Sequence, residues 1–352
     1  MRILVMRYRF IGDTILTVPF LRNLRRAHPS AVIDLMVAPY SSDVLAGIPY
    51  VDRMIVYDPP TKHADSGGRH RSVGARIRFL ASLRGARYDK VYVLKRSFSS
   101  AVIAFLTGAR ERIGFDTEGR GFLLSRKVPY RHDVHEVENF LEVLRADGVP
   151  VADDYLEAWI SPAERAAADA FLAGQGFAGD APLVGIHPFT ANPARAWHPD
   201  NFIETANRLQ EEFGVRTVVF GGPRERDLAA RFAERIVPRP VMAVGTLGLR
   251  VTMALLTRCV LLICNDSGIM HLAAAVGTPL VALFGPQSPV KFGPWGRECD
   301  LIYKRFPCSP CKQRFFQECQ PSPRMKPYCM EEITSADVIA RAAERLGTFR
   351  RP

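Results

Sequence analysis

A turn of small polar residues between two apolar stretches, near position 265, most constrains how this chain folds. Residues 259–264 are continuously apolar, which favours a parallel strand covered on both faces over a half-exposed one. The stretch NDSG at 265–268 stops this run, and Asp266 or Ser267 is suited to cap a helix over residues 269–276. A second apolar strand follows that helix. The order strand, turn, helix, strand predicts an open α/β sheet of parallel strands.

The same turn has the composition of a ligand site. In an open parallel sheet, ligands gather at the carboxyl ends of strands, where the free amides of a helix N-terminus attract an anion. Asp266 beside such amides is poorly suited to a phosphate but well suited to hydroxyl groups. The turn therefore predicts a ligand with both features, such as a sugar nucleotide. The alternative is a capped helix without a ligand.

Length and composition indicate two globular domains and an anionic partner. The chain has 352 residues, 47% hydrophobic and 24% charged, with a formal net charge of +11. That excess favours a nucleic acid, an anionic membrane face or a phosphorylated substrate. Neither a secretory signal nor a membrane-spanning apolar stretch occurs, so we expect a cytoplasmic protein. The polar, basic residues 59–78 predict a solvated loop or, alternatively, a loop that meets an anionic acceptor.

Strands and helices alternate in two series along the chain. Two βαβ series separated by a linker predict two doubly wound, Rossmann-like domains that face each other across a cleft. The first domain covers residues 1–160 and the second covers residues 161–334. A C-terminal helix within residues 335–352 is expected to follow the second domain and to pack back on the first. The glycine fingerprint GxGxxG is absent after the first strand, which disfavours a dinucleotide dehydrogenase.

Three charged residues follow predicted strands of the first domain. Asp13 follows Gly12 at the start of the first helix, where it either caps that helix, for about 1 kcal/mol, or presents a carboxylate to the cleft. Lys95 and Arg96 come just after the strand at residues 90–94. Because strand ends line the ligand cleft, these two cations are candidates for binding an anionic acceptor.

Four segments at the ends of predicted strands together resemble one family. They are GD at 12–13, HPFTANPARAW at 187–197, GGPRE at 221–225 and NDSGIMH at 265–271. In this order and at this spacing, over nearly the whole chain, they resemble the bacterial ADP-heptose:lipopolysaccharide heptosyltransferases, glycosyltransferase family 9. The resemblance implies a GT-B fold and an inverting, metal-independent transfer from a nucleotide sugar, without a cofactor.

The resemblance also implies roles for individual residues. Asp13 matches the family's proposed general base, and Arg195 takes a place where relatives often have lysine. Thr190 falls in the loop that meets the diphosphate, Glu225 matches the acid that holds the ribose, and Leu247 matches an apolar contact to adenine. The turn that receives the donor sugar and its phosphate corresponds to Asp266, Ser267, Gly268 and His271.

General chemistry supports two of these roles independently. An acceptor hydroxyl is a poor nucleophile, so a carboxylate such as Asp13 must remove its proton during attack. The departing ADP gathers negative charge as the glycosidic bond lengthens. A fixed cation such as Arg195 and the amides after Asp266 therefore stabilise the transition state more than the ground state. Arginine in place of lysine keeps the charge and adds bidentate geometry, but it differs in reach.

Three of the matched or neighbouring residues have structural alternatives. Glu225 is also explained as an acid in the first turn of a helix, where it is favoured by the helix dipole. His271 is also explained as a packed helix histidine. Trp197 is expected to be a core or domain-edge aromatic and not a ligand contact.

A cysteine-rich segment covers residues 299–329. Of the seven cysteines, Cys259 and Cys264 belong to the apolar strand region and the other five lie in this segment. A pair spaced as CxxC followed by two later cysteines predicts a structural zinc site with four thiolate ligands, and the alternative is free or reversibly paired thiols. The candidate ligands are Cys308, Cys311, Cys319 and Cys329.

The whole sequence predicts an inverting glycosyltransferase that moves a heptose from an ADP-heptose donor to the phosphorylated inner core of lipopolysaccharide. No nucleic-acid partner is expected, and peripheral contact with the cytoplasmic face of the inner membrane would suit the basic loops. Three alternatives stay open: another GT-B sugar-nucleotide transferase, a sugar-nucleotide epimerase, and a non-enzymatic polyanion-binding protein.

Overall fold

The computed structural model describes residues 1–8, 10–59, 68–177, 179, 181–296 and 298–349. The chain divides into two compact units, Met1–Tyr155 and Leu156–Pro352. The sequence placed this boundary a few residues later, at residue 160. Part of the basic loop predicted at 59–78, residues 60–67, lies outside the described residues.

The first unit contains one parallel sheet and flanking helices. Its strands are β1 (Arg2–Met6), β2 (Val32–Val37), β3 (Arg53–Val56), β4 (Lys90–Val93), β5 (Glu111–Phe115) and β6 (Arg126–Val128). Its helices are α1 (Ile11–Ile15), α2 (Val18–Ala27), α3 (Pro39–Ser42), α4 (Val73–Gly85), α5 (Phe98–Leu106) and α6 (Glu136–Ala146). Short 3-10 helices lie at Asp43–Leu45 and Gly121–Leu123.

The strand order of the first sheet creates a point where the chain reverses its direction across the sheet. The order is β3-β2-β1-β4-β5-β6, and the paired strands run parallel. The chain moves from β1 outward to β3 and then returns to place β4 on the other side of β1. Crevices outside the carboxyl ends of two such strands are where open α/β sheets bind ligands. Met6 pairs with Val93, so the segments after β1 and β4 begin side by side.

The second unit repeats this architecture. Its strands are β7 (Leu183–His187), β8 (Arg216–Gly221), β9 (Val241–Val244), β10 (Cys259–Asn265), β11 (Leu280–Phe284) and β12 (Cys299–Tyr303). Its helices are α7 (Pro162–Gly174), α8 (Pro199–Phe213), α9 (Arg226–Ala233), α10 (Leu249–Leu256), α11 (Gly268–Val276), α12 (Pro289–Phe292), α13 (Phe315–Glu318), α14 (Tyr328–Glu331) and α15 (Ser335–Phe349). Short 3-10 helices lie at Pro193–Arg195 and Pro223–Glu225.

The apolar strand recognised in the sequence is β10, near the centre of the second sheet. The order is β12-β11-β10-β7-β8-β9, so the chain reverses between β7 and β10. Residues Leu261 to Cys264 of β10 are fully buried, as expected for a strand covered on both faces. The following helix α11 ends at Gly277, whose φ of 80° is the left-handed conformation that favours glycine. Cys264 pairs with His187, which aligns the ends of β7 and β10.

The C-terminal helix belongs to the second unit by its contacts. Its expected packing on the first domain stays a prediction. Helix α15 packs against α8 and against strands β10, β11 and β12. Its buried side chains Val338, Ile339, Ala342 and Leu346 join the same apolar cluster as Phe202 of α8. The repeating spacing of these residues presents one apolar face, and burying that face against α8 and the sheet explains the position of α15.

Within the described part of the chain, no helix combines the length and the apolar character needed to cross a bilayer.

Candidate active site

The turn after β10 forms the start of α11 in the second unit. Ser267 is the N-cap residue of α11, and Gly268 is its first helical residue. The side chain of Ser267 does not cap the helix; its Oγ lies 3.3 Å from Nδ1 of His187, at the end of β7. Because the first amides of a helix have no partner within it, this end of α11 can donate to an anion.

Asp266, directly before that helix, forms an ion pair with Arg195. Their Oδ2 and Nη1 atoms lie 3.1 Å apart, and the aspartate side chain is 7% exposed against 27% for the arginine. Burial raises the pKa of Asp266 to about 6, against the opposing effect of the Arg195 charge. Arg195 follows β7 and Asp266 follows β10, so the pair sits where the chain reverses between these strands. The structure therefore brings together two residues predicted from separate motifs.

Asn265 holds the loop that carries Arg195 against β10. Its Oδ1 accepts a hydrogen bond of 3.0 Å from the amide of Trp197, and its Nδ2 donates one of 2.9 Å to the carbonyl of Pro188. Trp197 is 1% exposed and donates through Nε1 to the carbonyl of Ile333 at 2.7 Å. The prediction that Trp197 is a core residue is confirmed, and its burial anchors the loop beyond Arg195.

Gln313 from the cysteine-rich segment contacts this site, and the sequence analysis did not find it. Its Oε1 accepts from Nε of Arg195 at 2.6 Å and from Nδ2 of Asn192 at 3.1 Å. Its Nε2 donates to Oε1 of Gln287 at 2.8 Å. Gln313 has a φ of 61°, an unusual conformation for a side-chain-bearing residue. A single polar residue 118 positions from Arg195 has no sequence pattern that would reveal this contact.

The remaining predicted donor residues of the second unit lie around neighbouring strand ends. Thr190 is half-buried in the loop after β7, and Leu247 is half-buried in the loop after β9. His271 is buried within α11 at 6% exposure, as its structural alternative as a packed histidine requires. Glu225 accepts a hydrogen bond of 2.6 Å from the amide of Gly222, so one carboxylate oxygen serves the local turn. The roles of these four residues stay predictions.

Asp13 lies in α1 of the first unit, beside a buried arginine. Nη2 of Arg7 is 2.9 Å from Oδ2 of Asp13 and 3.9 Å from Oε1 of Glu136. Burial raises the pKa of Asp13, the Arg7 charge opposes that rise, and the Glu136 charge adds to it. Tyr130 donates a hydrogen bond of 2.6 Å to Oε2 of Glu136, which fixes the second carboxylate. The Asp13 side chain itself is 20% exposed, so it remains accessible to a reactant.

The predicted acceptor cations Lys95 and Arg96 lie in the segment after β4, adjacent to β1 in the sheet. Nζ of Lys95 is 4.1 Å from the ring centre of Tyr8, and the guanidinium of Arg96 is 4.1 Å from that of Tyr130. The charge of Arg96 also lowers the pKa of Asp13. Arg96 and Asp13 are therefore close enough to interact electrostatically, at the reversal point of the first sheet.

Arg120 holds the backbone of this segment and was not found in the sequence. It is fully buried, and its Nη1 donates to the carbonyl of Ser97 at 2.9 Å and to Oγ of Ser100 at 2.9 Å. Burial lowers its pKa to about 10, so it remains a cation at neutral pH. Its guanidinium satisfies backbone groups and leaves Lys95 and Arg96 as the partly exposed cations of the segment.

The four candidate zinc ligands of the cysteine-rich segment lie within electrostatic reach of one another. Burial raises the pKa of Cys319 and of Cys329, and the charges of Cys308 and Cys311 add to both shifts. The zinc site stays a prediction. All seven cysteines are free. Among the residues the structure describes, which include every cysteine, no three His, Cys, Asp or Glu side chains are grouped so as to hold a metal ion. Cys308 is exposed and Cys329 is buried, so the candidate ligands occupy different environments. The segment contacts the site through the side chain of Gln313. The backbone amide of Gln313 donates a hydrogen bond of 3.3 Å to Sγ of Cys311.

Comparison with known proteins places this arrangement in a family. Residues 76–319 match the family model described as "Glycosyltransferase family 9 (heptosyltransferase)". The chain belongs to glycosyltransferase family 9. This family 9 protein is 30% identical over 301 residues to the lipopolysaccharide heptosyltransferase 2 of Escherichia coli K12. The alignment covers 82% of this chain and 84% of the relative. The chain is 31% identical over 304 residues to the enzyme of the same name from Salmonella typhimurium, with 82% and 84% coverage.

Solved structures confirm the predicted fold class. A family 9 glycosyltransferase from Veillonella parvula DSM 2008 superposes with a TM-score of 0.86 at 26% identity, covering 99% of this chain and 97% of its own. The structure described as "E. coli ADP-heptose lps heptosyltransferase II" superposes over both whole chains with a TM-score of 0.79 at 24% identity. Each of the two units is a Rossmann-like domain, as the GT-B fold requires.

Proposed function

We propose that this family 9 protein transfers a heptose from ADP-heptose to the inner core of lipopolysaccharide. One observation carries the proposal: charged residues assigned from separate motifs occur at the reversal points of both parallel sheets. Arg195 and Asp266 follow β7 and β10, while Asp13 and Lys95 follow β1 and β4. The names of the relatives, two lipopolysaccharide heptosyltransferases, support the choice of donor and acceptor.

In this proposal the second unit binds the donor. Leu247 contacts the adenine, Glu225 accepts from a ribose hydroxyl through its remaining oxygen, and Thr190 lies beside the diphosphate. Arg195 and the first amides of α11, at Ser267 and Gly268, balance the charge that develops on ADP. The heptose hydroxyls bind Asp266 and His271, since a buried, ionised carboxylate is a strong acceptor for hydroxyl donors.

The first unit supplies the base. The acceptor hydroxyl oxygen attacks C1 of the heptose as the bond from C1 to the ADP oxygen breaks, and Asp13 takes the hydroxyl proton. Attack on the face opposite ADP inverts the configuration at C1. Burial raises the pKa of Asp13, and the charge of Arg7 opposes that rise, so Arg7 favours the ionised carboxylate that accepts the proton.

No metal ion is required in this mechanism. Arg195 and the N-terminal amides of α11 stabilise the negative charge that develops on the leaving ADP. Both are in place before the reaction begins. Full activity after treatment with EDTA is the expected outcome. Activity that disappears with EDTA and returns with a divalent cation would contradict this part of the proposal.

The acceptor binds to the first unit through its phosphates, which contact Lys95 and Arg96, the partly exposed cations after β4. The charge of Arg96 lowers the pKa of Asp13. Because that acceptor is attached to a lipid, we propose that the protein works at the cytoplasmic face of the inner membrane as a peripheral enzyme. Replacing Lys95 by Ala is expected to raise KM for the acceptor and to leave KM for the donor unchanged.

The test is a transfer assay with product analysis. The protein is incubated with ADP-heptose and a set of truncated core acceptors, and the products are separated by mass spectrometry and by NMR of the anomeric proton. A product heavier by one heptose, with inverted anomeric configuration and one ADP released per transfer, is expected. An isomerised donor without transfer would instead indicate an epimerase, and transfer of a different sugar alone would reject the donor assignment.

A further inference from the structure

Helices α4 and α5 form a layer on one face of the first sheet and expose apolar side chains to solvent. Both helices contribute to the same apolar cluster, α4 through Phe79 and Leu83 and α5 through Ala101, Ile103 and Ala104, and they contact each other. Their outer side chains are neither small nor polar. The exposed apolar residues, with their exposed fractions, are Val73 (68%), Ile77 (61%), Phe98 (43%), Phe105 (51%), Leu106 (38%) and, beside α5, Phe122 (73%).

These six residues define what we call the α4–α5 face. Val73 and Ile77 are four positions apart on α4, and Phe98 and Phe105 are seven apart on α5, so each pair lies on one side of its helix. The rings of Phe98 and Phe122 lie 6.2 Å apart, which joins the 3-10 helix Gly121–Leu123 to α5. Several large exposed apolar side chains on two contacting helices mark a candidate binding surface.

Arginines predominate on the α4 side of this face. Residues 69–87 contain six arginines, at positions 69, 71, 76, 78, 84 and 87, and no acidic residue. The α5 side also carries Glu118, whose carboxylate accepts a hydrogen bond of 2.8 Å from the backbone amide of Phe98. On the exposed helix α4 the arginines alternate with the apolar residues, as in RIR at 76–78. The guanidinium of Arg112 lies 5.5 Å from the ring centre of Phe105, at the other end of the face.

A cleft adjoins the face at the carboxyl ends of the two helices. It has a volume of about 700 Å³ and is lined by Arg84, Arg87 and Arg110 together with Thr107, Asp89 and Glu111. Three arginines against two acids leave this cleft cationic. It begins directly after Leu106, so an apolar surface and a cationic recess are continuous along α5.

We propose that the α4–α5 face binds an anionic phospholipid bilayer, with its apolar side chains entering the headgroup region and its arginines on lipid phosphates. A surface that exposes arginines next to aliphatic and aromatic side chains can place its apolar groups in the headgroup region and its cations on lipid phosphates. A second copy of the chain fits less well, because a two-fold contact through this face would set like charges against each other. The inference rests on the proposed function only in that the acceptor is attached to a lipid.

The test is co-flotation of the full-length protein with vesicles of phosphatidylcholine alone or mixed with phosphatidylglycerol, without donor or acceptor. Binding is expected with the mixed vesicles and is expected to weaken as salt rises. Replacing Arg76 and Arg84 together by Ser should lower the partition coefficient about thirtyfold, from about fivefold for each arginine. Replacing Ile77 and Phe105 together by Ser should lower it about tenfold or more.

A matched control comes from the second unit. Leu228 and Val237 are 61% and 73% exposed, and replacing both by Ser should leave vesicle binding unchanged. Transfer to a water-soluble, delipidated core acceptor should be unchanged in the Ile77→Ser/Phe105→Ser variant, which separates this inference from the proposed function. Absence of wild-type binding to mixed vesicles, or equal binding by the variants, overturns it. Self-association that is lost in the same variant, without vesicle binding, would assign the face to a second copy.

Discussion

Arg195 donates a hydrogen bond of 2.6 Å from Nε to Oε1 of Gln313, while its Nη1 lies 3.1 Å from Oδ2 of Asp266. The proposed diphosphate cation is therefore held from two sides, by the turn after β10 and by the cysteine-rich segment. A long side chain fixed in this way loses less entropy when the transition state forms than a free one does. Gln313 acts in this arrangement as a positioning residue.

Replacing Gln313 by Ala is expected to lower kcat by about 10- to 100-fold, the effect of one hydrogen bond to a charged group. KM for the acceptor should change little, because the contact lies in the donor-binding unit. Gln313→Glu keeps an acceptor for Arg195 and should recover most of the activity. A matched control is Gln287→Ala, which removes only the outer hydrogen bond of Gln313. Equal activity of Gln313→Ala and the wild type would show that the contact does not position Arg195.

The environment of Asp13 predicts opposite pH shifts for two variants. The charge of Arg7 lowers the pKa of Asp13 and that of Glu136 raises it. The base must be ionised, so activity is lost as pH falls through its pKa. In the profile of kcat/KM against pH, the acid limb should move to higher pH in Arg7→Gln and to lower pH in Glu136→Gln. Arg7→Lys should restore the wild-type position. Shifts of the same sign, or none, would remove Asp13 as the group that titrates.

Asp266 is expected to reduce stability above pH 6. Burial raises its pKa in the folded protein to about 6, from an ordinary value of 3.8. The folded state therefore binds the proton more tightly, and stability falls as pH rises through this range, by at most about 3 kcal/mol. Asp266→Asn should raise the free energy of unfolding at pH 8 and much less at pH 3, below both pKa values, measured by urea titration, while transferase activity falls. A loss of stability at pH 8 would contradict this account of the buried charge.

The two interpretations of the cysteine-rich segment differ in metal content and in thiol reactivity. Metal analysis of protein purified without chelator decides between them. The free-thiol interpretation predicts less than stoichiometric zinc and iron, and the described residues contain no three grouped ligands that would oppose it. Ellman titration of the unfolded protein should count seven free thiols, and the exposed Cys308 should react first in the folded protein. One tightly bound metal per chain, with four unreactive thiols, would support the zinc interpretation.

Several elements were predictable because their signals are local. The unbroken apolar run of β10 and the glycine that ends α11 located the central unit to within one residue. The sequence analysis treats the helix that starts near Asp13 as one element, whereas the structure has α1 and α2. Pro19 near the start of α2 explains that division, since proline favours the first turn of a helix.

Other features depend on contacts between distant parts of the chain. Strands β6 and β12 have weak sequence signals, because β6 has three residues and β12 is only partly buried. The site residues found from motifs, such as Asp13 and Asp266, lie next to strands with clear sequence signals. Gln313, Arg7 and Glu136 act through side-chain contacts to those residues, and no spacing in the sequence encodes such contacts. The position of α15 likewise depends on which apolar surface its face meets.

Binding and turnover measured on one preparation of Asp13→Asn test the central claim most directly. ADP affinity by calorimetry and heptose transfer by mass spectrometry are compared with those of the wild type. The account predicts an unchanged Kd for ADP, because the donor residues belong to the second unit, and a loss of turnover of about 100-fold or more from removal of the base. Turnover equal to that of the wild type would contradict it.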